Sequence, residues 1–413
     1  MSFIIPKKIP LFSLFFFLVI ILLPVVDNLT GALFKLKITS ENTIGSPSQI
    51  ARFILFALVI LMLDRAKFRS SLKIIIYAMC YLFLTEVFIA CFHMNLKAFI
   101  SGIIFSIKIL FSLSCYYYVA NWINYDRTRT IYVIKQLINY GTIVSLLVLT
   151  AYFSGFHISN YQIGIATRGL FISGNGLGVV LGVSTILLIC FNDKITLRKF
   201  FHIVLLIITT ALLGTKASLV FLLIALILLA YKLSKQSPII SAVAITILAI
   251  YLLPTLISVV SSVFENIIFK FNSIDNKMHF IASSRDTFIR DAFTELNTNG
   301  LYSFRVLFGG GAYYAYTDFS SGALLLRKTL ENDLFELFFS YGIITVLIYV
   351  SVYFFALKKS LHKKEFAIAL TMSLAFFHSI TVGHVLFNGT SAITYVLCLA
   401  IATKGSKVNN HDF

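Results

Sequence analysis

Residues 334–357 read LFELFFSYGIITVLIYVSVYFFAL, a stretch whose one formal charge is Glu336. About 20 mostly apolar residues are enough to cross a bilayer, so this run predicts a membrane helix. Working outward, comparable runs recur near 9–26, 50–63, 74–91, 98–119, 136–154, 172–191, 200–214, 217–231, 239–260, 366–383 and 388–403. Several are shorter than a full span and need flanking polar residues to complete it. The expected fold class is therefore an all-α polytopic membrane protein of about 12 helices. It forms a single transmembrane domain over residues 1–413, and its one sizeable loop is 261–332.

Bulk composition agrees. Of 413 residues 59% are hydrophobic and 12% charged, against about 25% charged in an ordinary soluble domain. The net charge of +17 raises the question of nucleic acid. The basic residues, however, sit in short clusters between apolar runs and form no continuous basic face, so nucleic acid is not an expected partner. Lys7 and Lys8 before the first run resemble a signal peptide, but no small-residue cleavage site follows and further spans do; an uncleaved first helix is expected. The five cysteines (Cys80, Cys91, Cys115, Cys190, Cys398) have no metal-ligand spacing and are expected to be buried small hydrophobes.

Charge also orients the chain. With the N-terminus inside, 20 of the 34 Lys and Arg residues fall in the short inner loops, in clusters such as Arg65 to Lys73, Arg127 to Lys135 and Lys358 to Lys364. The positive-inside bias then predicts that both termini are cytoplasmic and that the 261–332 loop faces outward. Within that loop, Ser284 is positioned to cap a helix from Arg285 to about Leu296, with Asp286 in its first turn. Ile289, Ala292, Phe293 and Leu296 would form its apolar stripe, lying on the membrane surface or on top of the bundle. Gly309, Gly310 and Gly311 read as a flexible turn, and Tyr313, Tyr314 and Tyr316 add aromatic surface.

Several polar positions are candidates for chemistry. Residues 168–178 read RGLFISGNGLG. Arg168 is either a headgroup anchor or a ligand for an anion. Gly174, Gly178 and Gly182 recur at four-residue spacing, a close-packing face between membrane helices, and Asn175 in that run needs a hydrogen-bond partner. Lys216, in the GTKAS stretch at 214–218, either snorkels to the interface or holds a diphosphate there. Arg285, Arg290, Arg305 and Arg327 make the large loop basic, and guanidinium suits phosphate because its fork grips two oxygens. For Arg305 and Arg327 a solvated loop face is the preferred reading. Glu331-Asn332-Asp333, followed by Glu336, offers more carboxylate than helix capping requires. Glu331 or Asp333 is a candidate general base on a sugar hydroxyl. Glu86 and Lys108 are expected to pair between adjacent spans, and His378 to be packed or hydrogen-bonded.

Taken in order, RGLFISGNGLG at 168–178, GTKAS at 214–218, Ser284-Arg285-Asp286, the three glycines at 309–311, and Glu331-Asn332-Asp333-Leu334-Phe335-Glu336 with Tyr341-Gly342-Ile343-Ile344 resemble the O-antigen polymerase and ligase family over roughly residues 140–360. The resemblance implies a GT-C-like membrane glycosyltransferase of the bacterial inner membrane, active on the periplasmic face. It implies no cofactor and no metal. Its donor would be a saccharide on undecaprenyl diphosphate and its acceptor a hydroxyl of another lipid-linked repeat unit, with a chain-length regulator as a further partner. By the same resemblance Arg168, Lys216 and Arg285 would hold the diphosphate, and Glu331 would activate the acceptor; Arg290, in the same basic loop, is a further candidate for binding the diphosphate. Where ligase relatives show a His-Asn pair this chain has Glu331-Asn332. That departure favours a repeat-unit polymerase over a ligase that passes polymer to lipid A-core. A transporter or flippase is the alternative from another class, expected to show inverted repeats and midplane polar sites.

Overall fold

The computed structural model describes residues 10–39, 45–159, 166–236, 285–298, 301–315, 330–383 and 385–408, with a few single positions between 261 and 272. Helices dominate the described residues. Eight are long and apolar enough to cross a membrane: α1 Leu11–Lys35, α2 Pro47–Arg65, α3 Arg69–Phe92, α4 Leu96–Ile123, α5 Arg127–Phe153, α6 Gly174–Phe191, α8 Lys216–Gln236 and α12 Asp333–His362. Shorter apolar helices are α7 Leu197–Leu212, α13 Phe366–Thr381 and α14 Gly389–Lys404. Of the runs read from sequence, only 239–260 lies outside the described residues.

The turns explain where the helices stop. Asn95, Asp126, Thr196, Asn332 and Asn388 each place a side-chain oxygen on a backbone N–H of the helix that follows, satisfying a donor that the helix itself cannot. Asn124 ends α4 in the left-handed region at φ 36°, where asparagine is tolerated.

Packing sorts the helices into two kinds. The core is centred on α6 and α14, whose residues are buried on nearly every side. The small residues of α6 permit this: a Cβ on Gly182 would meet the Phe221 ring at 2.2 Å, and one on Gly178 the Ser218 backbone at 3.5 Å, both on α8. Outer helices turn apolar side chains outward instead, among them Phe53, Leu61, Leu84, Ile227, Leu347 and Phe354. An exposed apolar belt around a buried core is the arrangement that a hydrocarbon solvent demands. The chain is thus an all-α polytopic membrane protein. Cys80 and Cys91 belong to the exposed set, while Cys115 and Cys398 are buried. The expectation that all five are buried therefore holds for two; Cys190 is half-buried, and Cys80 and Cys91 are exposed because α3 turns an apolar face to lipid.

The described part of the large loop is a folded cap. Helices α9 Arg285–Thr298, α10 Tyr302–Phe308 and α11 Gly311–Tyr314 rest on the first turns of α12. Ala292 and Leu296 are buried against Phe339, and Phe293 lies against Phe335, Phe338 and Phe339 with ring centroids 5.0–6.0 Å apart. Ser284, the expected cap of α9, lies outside the described residues.

Two loop expectations are corrected. Arg305 is buried, not solvated: its guanidinium donates to the carbonyls of Leu296, Tyr314 and Ala315, tying the ends of α9 and α11 together. Gly309–Gly311 is not a loose turn. Gly309 (φ 90°) lies backbone to backbone with Gly342 (φ 76°), the residue at which α12 breaks. A Cβ on Gly309 would fall 2.2 Å from the Ser340 carbonyl oxygen, and one on Gly342 2.1 Å from that of Leu307. The break frees carbonyls that need partners in an apolar medium. Gly310 N–H donates to Phe339 O at 2.8 Å, and the Tyr81 hydroxyl donates to Tyr341 O at 2.8 Å.

Candidate functional site

Five helix N-termini converge on one cavity of about 490 Å³. They are the starts of α2 (Ser46, Ser48), α6 (Ser173, Gly174, Asn175), α8 (Thr215), α12 (Asn332, Asp333) and α14 (Asn388, Thr390). A helix start presents unpaired N–H groups and the positive end of its dipole, so this convergence favours negative charge in the cavity. Seven ionisable side chains share the lining: Asp27, Arg52, Lys108, Arg168, Glu331, Asp333 and Glu336.

Arg168 reaches the cavity from a tightly tied loop between α5 and α6. Ile158 N–H donates to Gly169 O at 2.6 Å, Arg168 N–H returns to Ile158 O at 3.1 Å, and Thr167 N–H donates to Leu212 O of α7 at 2.9 Å. The backbone of the loop, rather than the length of the arginine side chain, sets where the guanidinium sits.

The carboxylates divide by environment. Asp333 is 1% exposed, and its Oδ2 accepts from the Ser379 hydroxyl and from the N–H groups of Val385 and Leu386, at 2.9, 2.9 and 3.0 Å. Three donors on one oxygen pin the start of α12 to the α13–α14 connection. Glu336 is equally buried and accepts from Leu330 N–H at 3.3 Å. Glu331 is partly exposed and lies outside the helix at φ 54°, an uncommon backbone conformation for a non-glycine residue that costs of order 1 kcal/mol. It is held there by its successor: Asn332 caps α12 through Phe335 N–H and donates to Ile380 O at 2.5 Å. Glu331 is thus the one carboxylate of this trio that is partly exposed.

The other predicted residues are placed differently. Asn175 and Gly174 line the cavity, whereas Gly178 and Gly182 lie deeper, against α8. Lys216 opens α8 next to Thr215, whose hydroxyl and that of Ser218 each accept from the other's backbone N–H at 3.1 Å; Lys216 itself is not among the lining residues. Arg285 stands at the start of α9, and Arg290, exposed on that helix, does not line the cavity. Glu86 accepts from Ala312 N–H at 2.8 Å, which makes it an anchor for the cap, while Lys108 points its chemistry into the cavity.

Sequence reasoning missed Asp27 and Arg52. Arg52 Nη2 reaches both Asp27 oxygens at 2.8 and 2.9 Å; Ser48 and Thr390 hydroxyls donate to the same carboxylate at 2.5 and 2.8 Å. This links α1, α2 and α14 beneath the cavity floor. The available signal was the rule that charges inside apolar runs are functional by default; it applies to both residues.

Near the cap, His93 stacks on Tyr314 at 4.1 Å, and burial, aided by Arg305, pushes its pKa down. Among the described residues no three His, Cys, Asp or Glu side chains are grouped to hold a metal ion. No family model matches the chain, and no curated protein or solved structure matches it either.

Proposed function

We propose that the chain is a membrane glycosyltransferase that polymerises lipid-linked saccharide repeat units, with undecaprenyl diphosphate as leaving group. It would work at the periplasmic face of a bacterial inner membrane. The observation that carries this reading is the cavity itself, where helix N-termini, Arg168 and Lys108 favour an anion beside the partly exposed carboxylate Glu331. The acceptor hydroxyl attacks the anomeric carbon of the donor. Its proton passes to Glu331, and the bond from that carbon to the diphosphate oxygen breaks with its electron pair on the diphosphate. Arg168 and the helix starts stabilise the developing negative charge, which is worth most in a site that excludes water. Asp333, held by three donors, acts as the strut that positions Glu331, two residues away. Arg290 is not among the cavity-lining residues, so a diphosphate role for it would require a movement of the cap.

The test is incubation of the purified protein with lipid-linked repeat units, with products resolved by gel and mass. A ladder of lengthened lipid-linked chains supports the reading; unchanged repeat units end it. Transfer to lipid A-core without lengthening would assign the ligase reaction instead.

A further inference from the structure

One outward face of α5 carries a polar group where the surrounding medium has no partner to offer. Tyr132, Asn139, Leu146 and Phe153 recur every seventh residue on that face. Gln136, Ile143 and Thr150 follow the first three at a distance of four, and none of the seven is buried. Asn139 stands twelve positions after Arg127 and fourteen before Phe153, about 18 and 21 Å along the helix at 1.5 Å per residue. A neighbouring contact gives the same depth: the carbonyl of Leu137 accepts from the Ser184 hydroxyl at 2.9 Å, and Ser184 lies near the middle of α6. An exposed carboxamide therefore sits near the midplane of the bundle. Thr142, one turn on, spends its hydroxyl on Ile138 O and His202 Nε2; Asn139 makes no comparable bond among the described residues. Hydrocarbon supplies neither donor nor acceptor, so the amide calls for a polar partner that is itself inside the membrane. Beside it α1 and α5 enclose a groove of about 350 Å³, with Phe17 and Ile21 on the α1 wall. That wall is a π-helical stretch, Phe17–Leu22, an uncommon element that tends to mark functional surfaces.

We infer that a second copy of the chain docks on this face, α5 against α5, with the two Asn139 carboxamides hydrogen-bonded to each other. The chemistry of the group selects that occupant. A carboxamide carries both donors and an acceptor, so it is its own complement. Two copies inserted in one orientation form a closed pair about a two-fold axis normal to the membrane, which brings residues of equal depth together. Asn139 then meets Asn139 with no further requirement, whereas a different protein would need a polar group placed at that same depth. The spacing agrees: parallel helices packed about such an axis repeat their contacts every seven residues, and a single asparagine in the seam fixes register and pairing. Leu146 and Phe153 supply apolar contact on the outer side of the amide. Lys135, exposed one turn nearer the inner end, has a stem long enough to carry its charge toward the inner headgroups. The pairing uses no residue of the cavity, so it stands apart from the glycosyltransferase reading.

In mild detergent the purified full chain is expected to sediment as a dimer that dissociates on dilution. Asn139→Leu removes the amide but suits hydrocarbon; it should raise the dissociation constant about tenfold and leave the Tm of the monomer unchanged. Asn139→Gln, which keeps an amide, should retain most of the association. In membranes, Leu146→Cys in a chain carrying Cys80→Ser and Cys91→Ser should give a disulfide-linked pair on oxidation with copper phenanthroline. Leu84→Cys in the same background, outward on α3, should not. A monomer at every concentration overturns the inference, as does a dimer indifferent to Asn139→Leu or one linked through Leu84→Cys instead. A fall in Tm for Asn139→Leu at unchanged mass would show that the amide is satisfied within its own chain, and overturns it as well.

Discussion

The two ends of the bundle use opposite halves of the helix dipole. At the cavity end, the starts of α2, α6, α8, α12 and α14 meet around mixed charges. At the other end α4, α6 and α14 finish, and cations close them: Lys359 donates to Thr403 O, Lys363 to Ala402 O and Gly405 O, Lys232 to Ile189 O and Cys190 O, and Arg129 to Trp122 O. Lys359, Lys363 and Lys404 also surround the Tyr125 ring at 5.2–5.9 Å, and the hydrogen bond from Lys359 draws the Tyr125 pKa down. α14 joins the two ends with 16 residues, about 24 Å, close to the thickness of a hydrocarbon core. The difference teaches that lysines at carbonyl ends are consumed by helix capping. Charges at the amide ends instead line a cavity, among helix N-termini that favour an anion.

That contrast can be broken at several points. The largest effect is expected at the cavity: Glu331→Gln and Arg168→Ala should each lower chain elongation by about 100-fold or more without loss of folded protein, measured as polymer length and yield on a gel. Activity within a few-fold of the parent would remove these residues from the reaction. Next is the charge pair under the floor. Asp27→Asn leaves Arg52 buried and uncompensated, and should cost about 3–5 kcal/mol, read as a fall in Tm in detergent; Arg290→Ala on the exposed face of α9 should leave Tm unchanged. An unaltered Tm for Asp27→Asn would mean that water screens the pair.

A smaller effect belongs to the lysine end. Glu365, in the turn between α12 and α13, is 6% exposed, and burial raises its pKa to about 7 against the opposing pull of Lys363, the Val408 N–H and Lys407. A carboxyl whose folded pKa lies above its unfolded value holds an extra proton in the native state. Stability contributed by the neutral form is therefore full at low pH and is lost as pH rises from about 4.5 to about 7. Glu365→Gln should flatten that slope and stabilise the protein at pH 8 by about 1–3 kcal/mol; a parent Tm independent of pH between 5 and 8 would refute the assignment. The smallest effect is expected for Lys363→Ala, about 1 kcal/mol, with elongation unaltered. A loss of elongation there would show that the two ends are coupled.

Much of the architecture was legible beforehand because a bilayer imposes a simple rule: long apolar runs must be helices. Helices stand at every run that falls within the described residues, and α9 begins at Arg285 as its pattern implies. Arg168 and Glu331 were also visible, since each sits beside a glycine-rich or capping motif at a helix start. Arg305 was misjudged because no periodicity reveals that three carbonyls will close around one guanidinium. Asp27 and Arg52 escaped for a similar reason. They lie 25 residues apart in separate helices, and only packing shows that they meet.

What the sequence determined by itself is therefore the all-helical membrane class, the positions of the helix starts, and the asymmetry of basic residues between alternate loops. These depend on local hydropathy and capping, which each segment carries alone. Tertiary structure decided which helix starts share a cavity, which of three neighbouring carboxylates is partly exposed and which are buried, and that Gly309 and Gly342 lock the cap onto a broken helix. Those outcomes depend on distances between segments far apart in the chain. In an apolar surrounding, a polar group must find its partner across such distances or give up several kcal/mol.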